Sequence, residues 1–200
     1  MKTLVVVSKY NEDVSWIEKI IHDVLIYDKS NSPIQKSIGR PNVGRESETL
    51  LNYIITYYNN LPDITIFLQG DPRSNPVMYT YGEVLEQINK NHEPKLNIIL
   101  TWEGNIDLNI HWLKSCKILK DQLFDTGDRI RYSVGTQYVI PKENILCRPL
   151  DFYKSLHREV LKFEDKHLDE NKQDLSEGID AWTLEILWST IFDTNIKLKT

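Results

Sequence analysis

The strongest constraint on the fold is a continuous aliphatic run at residues 4–7, followed later by a strongly β-forming segment at residues 64–68. An uninterrupted apolar run of this length is typical of a strand that is buried on both faces. Segments with helical periodicity separate these and the other short apolar runs. The alternation predicts an α/β fold, and a length of 200 residues favours one domain spanning residues 1–200.

Periodicity and turn residues predict where the elements lie. We expect strands at residues 4–7, 24–27, 64–68, 96–101 and 137–140. A first helix should open at residues 11–13 and carry apolar side chains as far as position 21. We expect further helices at residues 47–58, 81–89, 111–119, 151–164 and 181–192. Residues 29–44 should form a polar loop, and residues 162–176 a solvated loop or helix extension.

Charge and apolar content exclude several classes of protein. Lys and Arg number 24 against 29 Asp and Glu, and this net charge of -5 argues against a protein that wraps a nucleic-acid backbone. Apolar runs stay far below the roughly 18 residues that a membrane-spanning helix needs. No signal-peptide core follows Met1, so we expect a cytoplasmic protein without a membrane span.

Cysteine and tryptophan residues carry weaker indications. Cys116 and Cys147 lack the spacing of a disulfide framework or a zinc site, which predicts two buried thiols. Trp16, Trp182 and Trp188 lie at helical spacing and are expected in the core. Trp102, at the end of a predicted strand, could instead form a stacking wall for a sugar or base.

Polar residues directly after the predicted strands are the first candidates for a ligand site. In open α/β sheets, ligands bind in the crevice outside the carboxyl ends of the strands. Ser8, Asn11, Glu12 and Asp13 follow the first strand and could hold a base, ribose or phosphate, although helix capping would also explain them.

The turn after the central strand contains Gln69, Gly70 and Asp71. Its single carboxylate could bind a divalent cation that holds a diphosphate, and the alternative is an ordinary turn.

Two further segments carry charged candidates. Arg40 and Arg45, just before a helix, suit a diphosphate or carboxylate, although Arg45 and Glu46 could equally be a surface pair. Near the C-terminus, Glu177, Asp180 and Glu185 offer a general base, and the alternative is a helix cap with carboxylates that complement the helix dipole. The P-loop, the Rossmann glycine fingerprint and the α/β-hydrolase nucleophile elbow are all missing from the sequence.

Several motifs resemble an uncharacterised-domain family found in fungi, bacteria and large DNA viruses. The likeness covers nearly the whole chain apart from about residues 72–132. It is carried by NEDxxW at 11–16, NVGRE at 42–46, LPDITIFLQG at 61–70, TQY at 136–138, ExIxxRPxxFY at 143–153 and ExLWxxIF at 185–192.

The family in turn resembles the nucleotide-sugar-binding domain of GT-A-type glycosyltransferases, including a small glycosyltransferase domain of large DNA viruses. This resemblance implies a mixed, mostly parallel central sheet flanked by helices, with a sugar nucleotide over the carboxyl end of the first strand. It also implies a divalent cation, Mn or Mg, held by a D-x-D motif. The chain departs from that motif, because Asp71 is the only carboxylate in its Gln-Gly-Asp turn.

Together, these observations predict a glycosyltransferase that moves a sugar from a nucleoside diphosphate sugar to an acceptor hydroxyl. Its acceptor would be a glycan or glycoprotein, for example a viral or surface glycoprotein, and a viral enzyme would act in the host cytoplasm. Asp71 with a metal, together with Arg45 and Arg40, would neutralise the diphosphate, and Asp180, Glu177 or Glu185 would be the base. Gln137 would touch the sugar or acceptor. The alternative function is a non-catalytic module that binds a nucleotide sugar or glycan, and a phosphate-bond hydrolase is a third hypothesis.

Overall fold

A mixed six-stranded sheet forms the centre of the described chain, with strand order β3-β2-β1-β4-β8-β5. The computed structural model describes residues 1–73, 78–101, 103–162 and 178–199. The strands are β1 Thr3–Lys9, β2 Asp23–Asp28, β3 Ile38–Gly39, β4 Ile64–Gln69, β5 Asn97–Ile98 and β8 Tyr138–Pro141. Strands β3, β2, β1 and β4 run parallel, and β8 is antiparallel to both β4 and β5. The predicted α/β class with a mostly parallel central sheet is therefore confirmed.

Helices cover both faces of this sheet. They are α1 Arg45–Tyr57, α2 Tyr81–Asn89, α3 Lys114–Leu123, α4 Lys142–Leu146, α5 Leu150–Lys162 and α6 Ala181–Ile191. Alternate β1 side chains enter different layers: Val6 packs with α1, α3, α5 and α6, whereas Val5 and Val7 pack with α2 and Trp16. This alternation is the two-residue period of a strand, and it explains why a strand covered on both faces is apolar throughout.

A second, two-stranded sheet lies beside α6. The strands β6 Glu103–Asp107 and β7 Arg129–Ser133 pair antiparallel, and β7 packs against α6. Neither this sheet nor α4 follows from the sequence patterns. The burial of β6 alternates between exposed and half-buried residues, so its sequence offers few apolar side chains as a signal.

Three predicted elements need correction. The helix expected from residues 11–13 is only a 3₁₀ turn, Ser15–Lys19, because Ile20 is extended and the chain must reach β2 by Asp23. The strand expected at 96–101 is reduced to β5. The helix expected at 111–119 starts as a 3₁₀ turn, His111–Leu113, and continues as α3 to Leu123. The charged stretch after Lys162 lies outside the described residues up to position 177.

Tryptophan and cysteine predictions are mostly confirmed. Trp16 and Trp188 are buried, and both cysteines are free thiols, although only Cys116 is buried and Cys147 is half-buried. Trp182 was expected in the core but is 38% exposed, because it lies in the first turn of α6 beside a pocket. Trp102 lies outside the described residues. No helix in the described ranges has both the length and the apolarity that crossing a membrane requires.

Candidate functional site

A pocket of about 590 Å³ opens where β1 and β4 end. These neighbouring parallel strands place Ser8 opposite Gln69, so their carboxyl ends meet at one edge of the sheet. Five of the predicted site residues line this pocket: Ser8, Glu12, Arg45, Gln69 and Glu185. Six lining residues were not among the predicted ones: Lys9, Tyr10, Lys29, Asn42, Glu46 and Trp182.

Arg45 reaches the pocket from an unusual turn at the start of α1. Gly44 has φ 63° and Arg45 has φ 45°, so two consecutive residues adopt the left-handed region. A non-glycine residue in this region costs roughly 1–3 kcal/mol, and such strain persists only where the surroundings hold it. Gly44 cannot be replaced easily, because a Cβ there would lie 2.3 Å from Val160 Cγ1.

The Arg45 guanidinium makes no ion pair with any described residue. It stands beside the first turn of α1, where Gly44 provides no side-chain cap for the backbone N–H groups. The Glu46 carboxylate already accepts a hydrogen bond from its own N–H in this turn, whereas the Arg45 guanidinium can form two parallel hydrogen bonds to a phosphate. This corner of the pocket is therefore suited to an anion.

Beneath Arg45 lies a buried network of charges centred on Glu48. The Glu48 side chain is fully buried, and its Oε2 lies 3.0 Å from Lys29 Nζ. Its Oε1 accepts hydrogen bonds from Arg40 Nη2 at 2.5 Å and lies 3.1 Å from His157 Nε2. Burial alone would raise the pKa of Glu48, but the hydrogen bonds and charges of His157, Lys29 and Arg40 lower it to about 2.

Three carboxylates face the pocket around Arg45. Glu185 Oε1 accepts a hydrogen bond from the Gly135 backbone N–H at 2.7 Å. Glu12 Oε2 accepts one from the Tyr10 N–H at 2.6 Å. Burial raises the pKa of Glu46 and of Glu185, although Arg45 opposes the rise in both. A carboxylate with a raised pKa is a stronger base than an ordinary carboxylate.

The charge balance of the pocket indicates what kind of ligand it suits. Lys9 pairs with Asp28 and Lys29 with Glu48, so Arg45 is the cation that remains for a ligand. Glu12, Glu46 and Glu185 offer acceptor oxygens, which are partners for hydroxyl groups. Tyr10, 42% exposed, and Trp182, 38% exposed, add aromatic surface. An anionic group linked to a hydroxyl-rich, ring-containing group would satisfy all three features.

Gly70 creates the space that Glu12 occupies. A Cβ on Gly70 would lie 2.6 Å from Glu12 Oε2, and the Gly70 carbonyl accepts a hydrogen bond from Trp16 Nε1 at 3.1 Å. The close backbone approach that requires glycine here therefore belongs to Glu12 and not to a ligand atom.

Other predicted site residues lie away from the pocket lining. Asp180 caps α6, with its carboxylate accepting hydrogen bonds from the Thr183 N–H and hydroxyl. Arg40 is engaged by Glu48. Gln137 is buried and donates to the Leu100 carbonyl at 2.8 Å. Asn11 and Asp13 are exposed, and Asp13 accepts hydrogen bonds from Ser15. Glu177 lies outside the described residues.

Asp71 is held by Arg73 instead of facing the pocket. Arg73 Nε donates to Asp71 Oδ1 and Arg73 Nη2 to Asp71 Oδ2, both at 2.9 Å. No group of three His, Cys, Asp or Glu residues suitable for a metal occurs in the described ranges. The turn as it stands does not fit the divalent cation that was expected there, because both carboxylate oxygens already accept hydrogen bonds from a guanidinium.

Three pocket residues stand out among those that sequence reasoning missed. Lys29 lies directly after β2, a position that the rule about strand ends could have singled out. Glu46 was named only in the NVGRE motif and as a possible surface partner of Arg45, not as a site residue. Trp182 was assigned to the core because periodicity cannot distinguish a buried position from the rim of a pocket at the end of a helix.

A family model described as "Protein of unknown function (DUF3431)" matches residues 4–199. The chain belongs to this family. No curated protein and no solved structure matches the chain. Family membership over nearly the whole chain agrees with the expected uncharacterised-domain family, and the likeness to GT-A glycosyltransferases stays a prediction.

Proposed function

We propose that this protein is a glycosyltransferase that uses a nucleoside diphosphate sugar as donor and an acceptor hydroxyl. The observation that carries the proposal is one pocket that holds Arg45, Glu185, Glu46 and the exposed ring of Trp182 together, and Arg45 makes no ion pair there with any residue that the structure describes. A sugar nucleotide combines an anionic diphosphate with hydroxyl-bearing rings, which matches this set of side chains.

The fold supports the proposal at the level of layout. The pocket lies at the carboxyl ends of parallel strands in a mixed sheet flanked by helices, which is the arrangement that the GT-A resemblance implies. Because many functions share one fold, the side chains of the pocket carry the proposal.

Glu185 is the better candidate for the general base than Asp180. Its side chain lines the pocket, is fixed by the Gly135 N–H, and has a pKa raised by burial. Asp180 instead uses both carboxylate oxygens to cap α6. In the proposed reaction the acceptor oxygen forms a bond to the anomeric carbon, the bond from that carbon to the diphosphate breaks, and the acceptor proton passes to Glu185.

Arg45 would stabilise the departing diphosphate. A divalent cation, when bound, supplies positive charge to a diphosphate. At the Asp71 turn such a cation would have to displace Arg73, so we assign charge stabilisation to Arg45 alone.

Calorimetry with UDP-, GDP- and other nucleotide sugars tests donor binding, and release of the nucleoside diphosphate in the presence of glycan acceptors tests transfer. We expect one donor to bind in the micromolar to millimolar range and to be consumed faster when its acceptor is present. Absence of binding by every nucleotide sugar would refute the proposal.

A non-catalytic binding module is the second candidate. It is favoured by the Asp71–Arg73 pair, which closes the turn where the resembled enzymes bind their cation. One measurement distinguishes the two functions. A binding module binds the donor without consuming it, so Glu185→Gln changes neither the donor affinity nor the rate of donor consumption, which is zero in both forms. Donor cleavage without any acceptor would instead support the hydrolase.

A further inference from the structure

Lys29 is a buried lysine whose ammonium group contacts three oxygen atoms of the protein. Its side chain is 3% exposed, although it follows β2 at the edge of the sheet and contributes to the pocket wall. Lys29 Nζ donates to the Val43 carbonyl at 2.7 Å and to the Arg45 carbonyl at 2.5 Å. A third contact, at 3.0 Å, is the ion pair with Glu48 Oε2.

The two carbonyls that Lys29 contacts enclose the left-handed residues of the Arg45 turn, which we define as residues 43–45. One ammonium that holds the carbonyls on both sides fixes the path of the chain between them. The first helical hydrogen bond of α1, from Glu48 N to Gly44 O at 3.0 Å, starts from the same turn. Lys29 therefore contacts the backbone that determines where the Arg45 side chain begins.

Three parts of the chain fix Glu48 in turn. Arg40, from the segment after β3, and His157, on α5, both contact Glu48 Oε1, which leaves Oε2 for Lys29. The ammonium thus has a fixed counter-ion on α1 and two fixed acceptors on the turn. A network held from several elements is rigid, because no single side chain can move without breaking its other contacts.

We propose that Lys29 is a positioning residue that holds the Arg45 turn so that the Arg45 guanidinium faces the anionic part of the ligand. The proposal rests on the proposed function for the identity of that ligand, a diphosphate. Its structural part, the hold on the turn, is testable without any ligand.

The first experiment measures amide hydrogen exchange in the free protein. We expect Lys29→Met to accelerate exchange of the Glu48 amide at least tenfold, while amides of β1 exchange at the wild-type rate. Lys114→Met is the matched control, since Lys114 is exposed on α3, and it should change neither. If Lys29→Met does not fold, Lys29→Gln, which keeps one donor group, should give a smaller acceleration. Unchanged exchange at Glu48 in a folded variant would overturn the proposal.

The second experiment is a double-mutant cycle with pyrophosphate and UDP as probes. We expect Lys29→Met and Arg45→Ala each to weaken binding by about tenfold or more. The double variant should bind no more weakly than Arg45→Ala, because Lys29 acts through Arg45. Independent, multiplying losses would mean that Lys29 does not act through Arg45, and would overturn the proposal.

Failure of the proposed function gives a different result. If the wild-type protein binds neither pyrophosphate nor UDP, the diphosphate assignment is wrong, and the exchange of the Glu48 amide alone decides whether Lys29 holds the turn.

Discussion

Arg73 forms a bidentate ion pair with Asp71: its Nε donates to Oδ1 and its Nη2 donates to Oδ2, each at 2.9 Å. The Arg73 guanidinium also lies over the Tyr81 ring, with its central carbon 4.1 Å from the ring centroid. Hydrogen bonds from Arg73 lower the pKa of Asp71, which keeps the carboxylate charged and paired. The carboxylate in the turn after the central strand is therefore already paired with a cation of the protein, Arg73.

This pair predicts how a divalent cation affects the protein. We expect Asp71→Asn to leave any effect of Mn²⁺ on UDP affinity unchanged, because the carboxylate already serves Arg73. Arg73→Ala is the control that releases the Asp71 carboxylate. Only in that variant should Mn²⁺ increase UDP affinity by binding to Asp71. Calorimetry with and without Mn²⁺ measures both. An enhancement by Mn²⁺ in the wild-type protein that disappears in Asp71→Asn would contradict this expectation.

Arg45→Ala should weaken binding of UDP or pyrophosphate about 10- to 100-fold. The lost interaction is a charge-assisted hydrogen bond, worth roughly 1.5–3 kcal/mol. Arg158→Ala is the matched control, because Arg158 lies on α5 outside the pocket lining and contacts Ser155. Titration calorimetry compares the two, and equal losses in both variants would show that the effect comes from net charge rather than from the pocket.

Glu185→Gln should reduce transfer by about 10²–10⁴-fold with little change in donor affinity, as expected for loss of a general base. The glutamine oxygen can still accept the hydrogen bond from the Gly135 N–H. Asp180→Asn should leave transfer nearly intact, since asparagine is an equally good helix cap. Steady-state kinetics distinguish the two residues. Normal turnover in Glu185→Gln together with loss of turnover in Asp180→Asn would show that Asp180, and not Glu185, is the general base.

The raised pKa of Glu185 adds a pH dependence to that prediction. A carboxyl group whose pKa is higher in the folded state stabilises the fold at low pH, and this contribution is lost as pH rises through the folded pKa. Glu185→Gln should therefore unfold at the same or a higher temperature than the wild-type protein at pH 7. The wild-type transfer rate should fall as pH decreases through the raised pKa, and this limb should be missing from the residual activity of the variant.

Gly70→Ala should impair the pocket without unfolding the protein. The new Cβ would lie 2.6 Å from Glu12 Oε2, so the Glu12 side chain must move and lose its hydrogen bond from Tyr10. Gly127→Ala is the control, since nothing lies within 4 Å of a Cβ built there. We expect donor affinity to fall several-fold for Gly70→Ala only, with thermal unfolding as the check on stability. Equal affinities in the two variants would mean that Glu12 does not contact the ligand.

Glu48→Gln should destabilise the protein by roughly 3–5 kcal/mol at pH 7, because it leaves the buried Lys29 ammonium without its counter-ion. The pKa of Glu48 is lowered to about 2 in the folded state, so its stabilising effect exists above the unfolded pKa of about 4.5 and is lost as pH falls towards 2. The difference between variant and wild type in urea unfolding should therefore shrink between these pH values. A difference that stays constant over this range would show that Glu48 does not titrate as proposed.

Much of the fold was predictable because burial on both faces leaves a direct pattern in the sequence. Val5, Val6 and Val7 must all be apolar when helices cover both sides of β1, and the start of α2 is marked by a capping box between Thr80 and Glu83. The sheet of β6 and β7 could not be predicted, because its strands are half exposed and their partners lie more than 20 residues apart.

The sequence by itself determined which residues follow the strands, and so it brought Ser8, Glu12 and Gln69 to one edge of the sheet as candidates. Only the tertiary structure decided how each charge is used. Asp71 and Arg45 look equally available in the sequence, yet Asp71 is taken by Arg73, whereas Arg45 faces the pocket from a turn held by Lys29. The reason is physical: a charged side chain is available to a ligand only if no other charge of the protein pairs with it. Arg73 is only two residues from Asp71, but the structure alone shows that it pairs with Asp71 and packs over the Tyr81 ring.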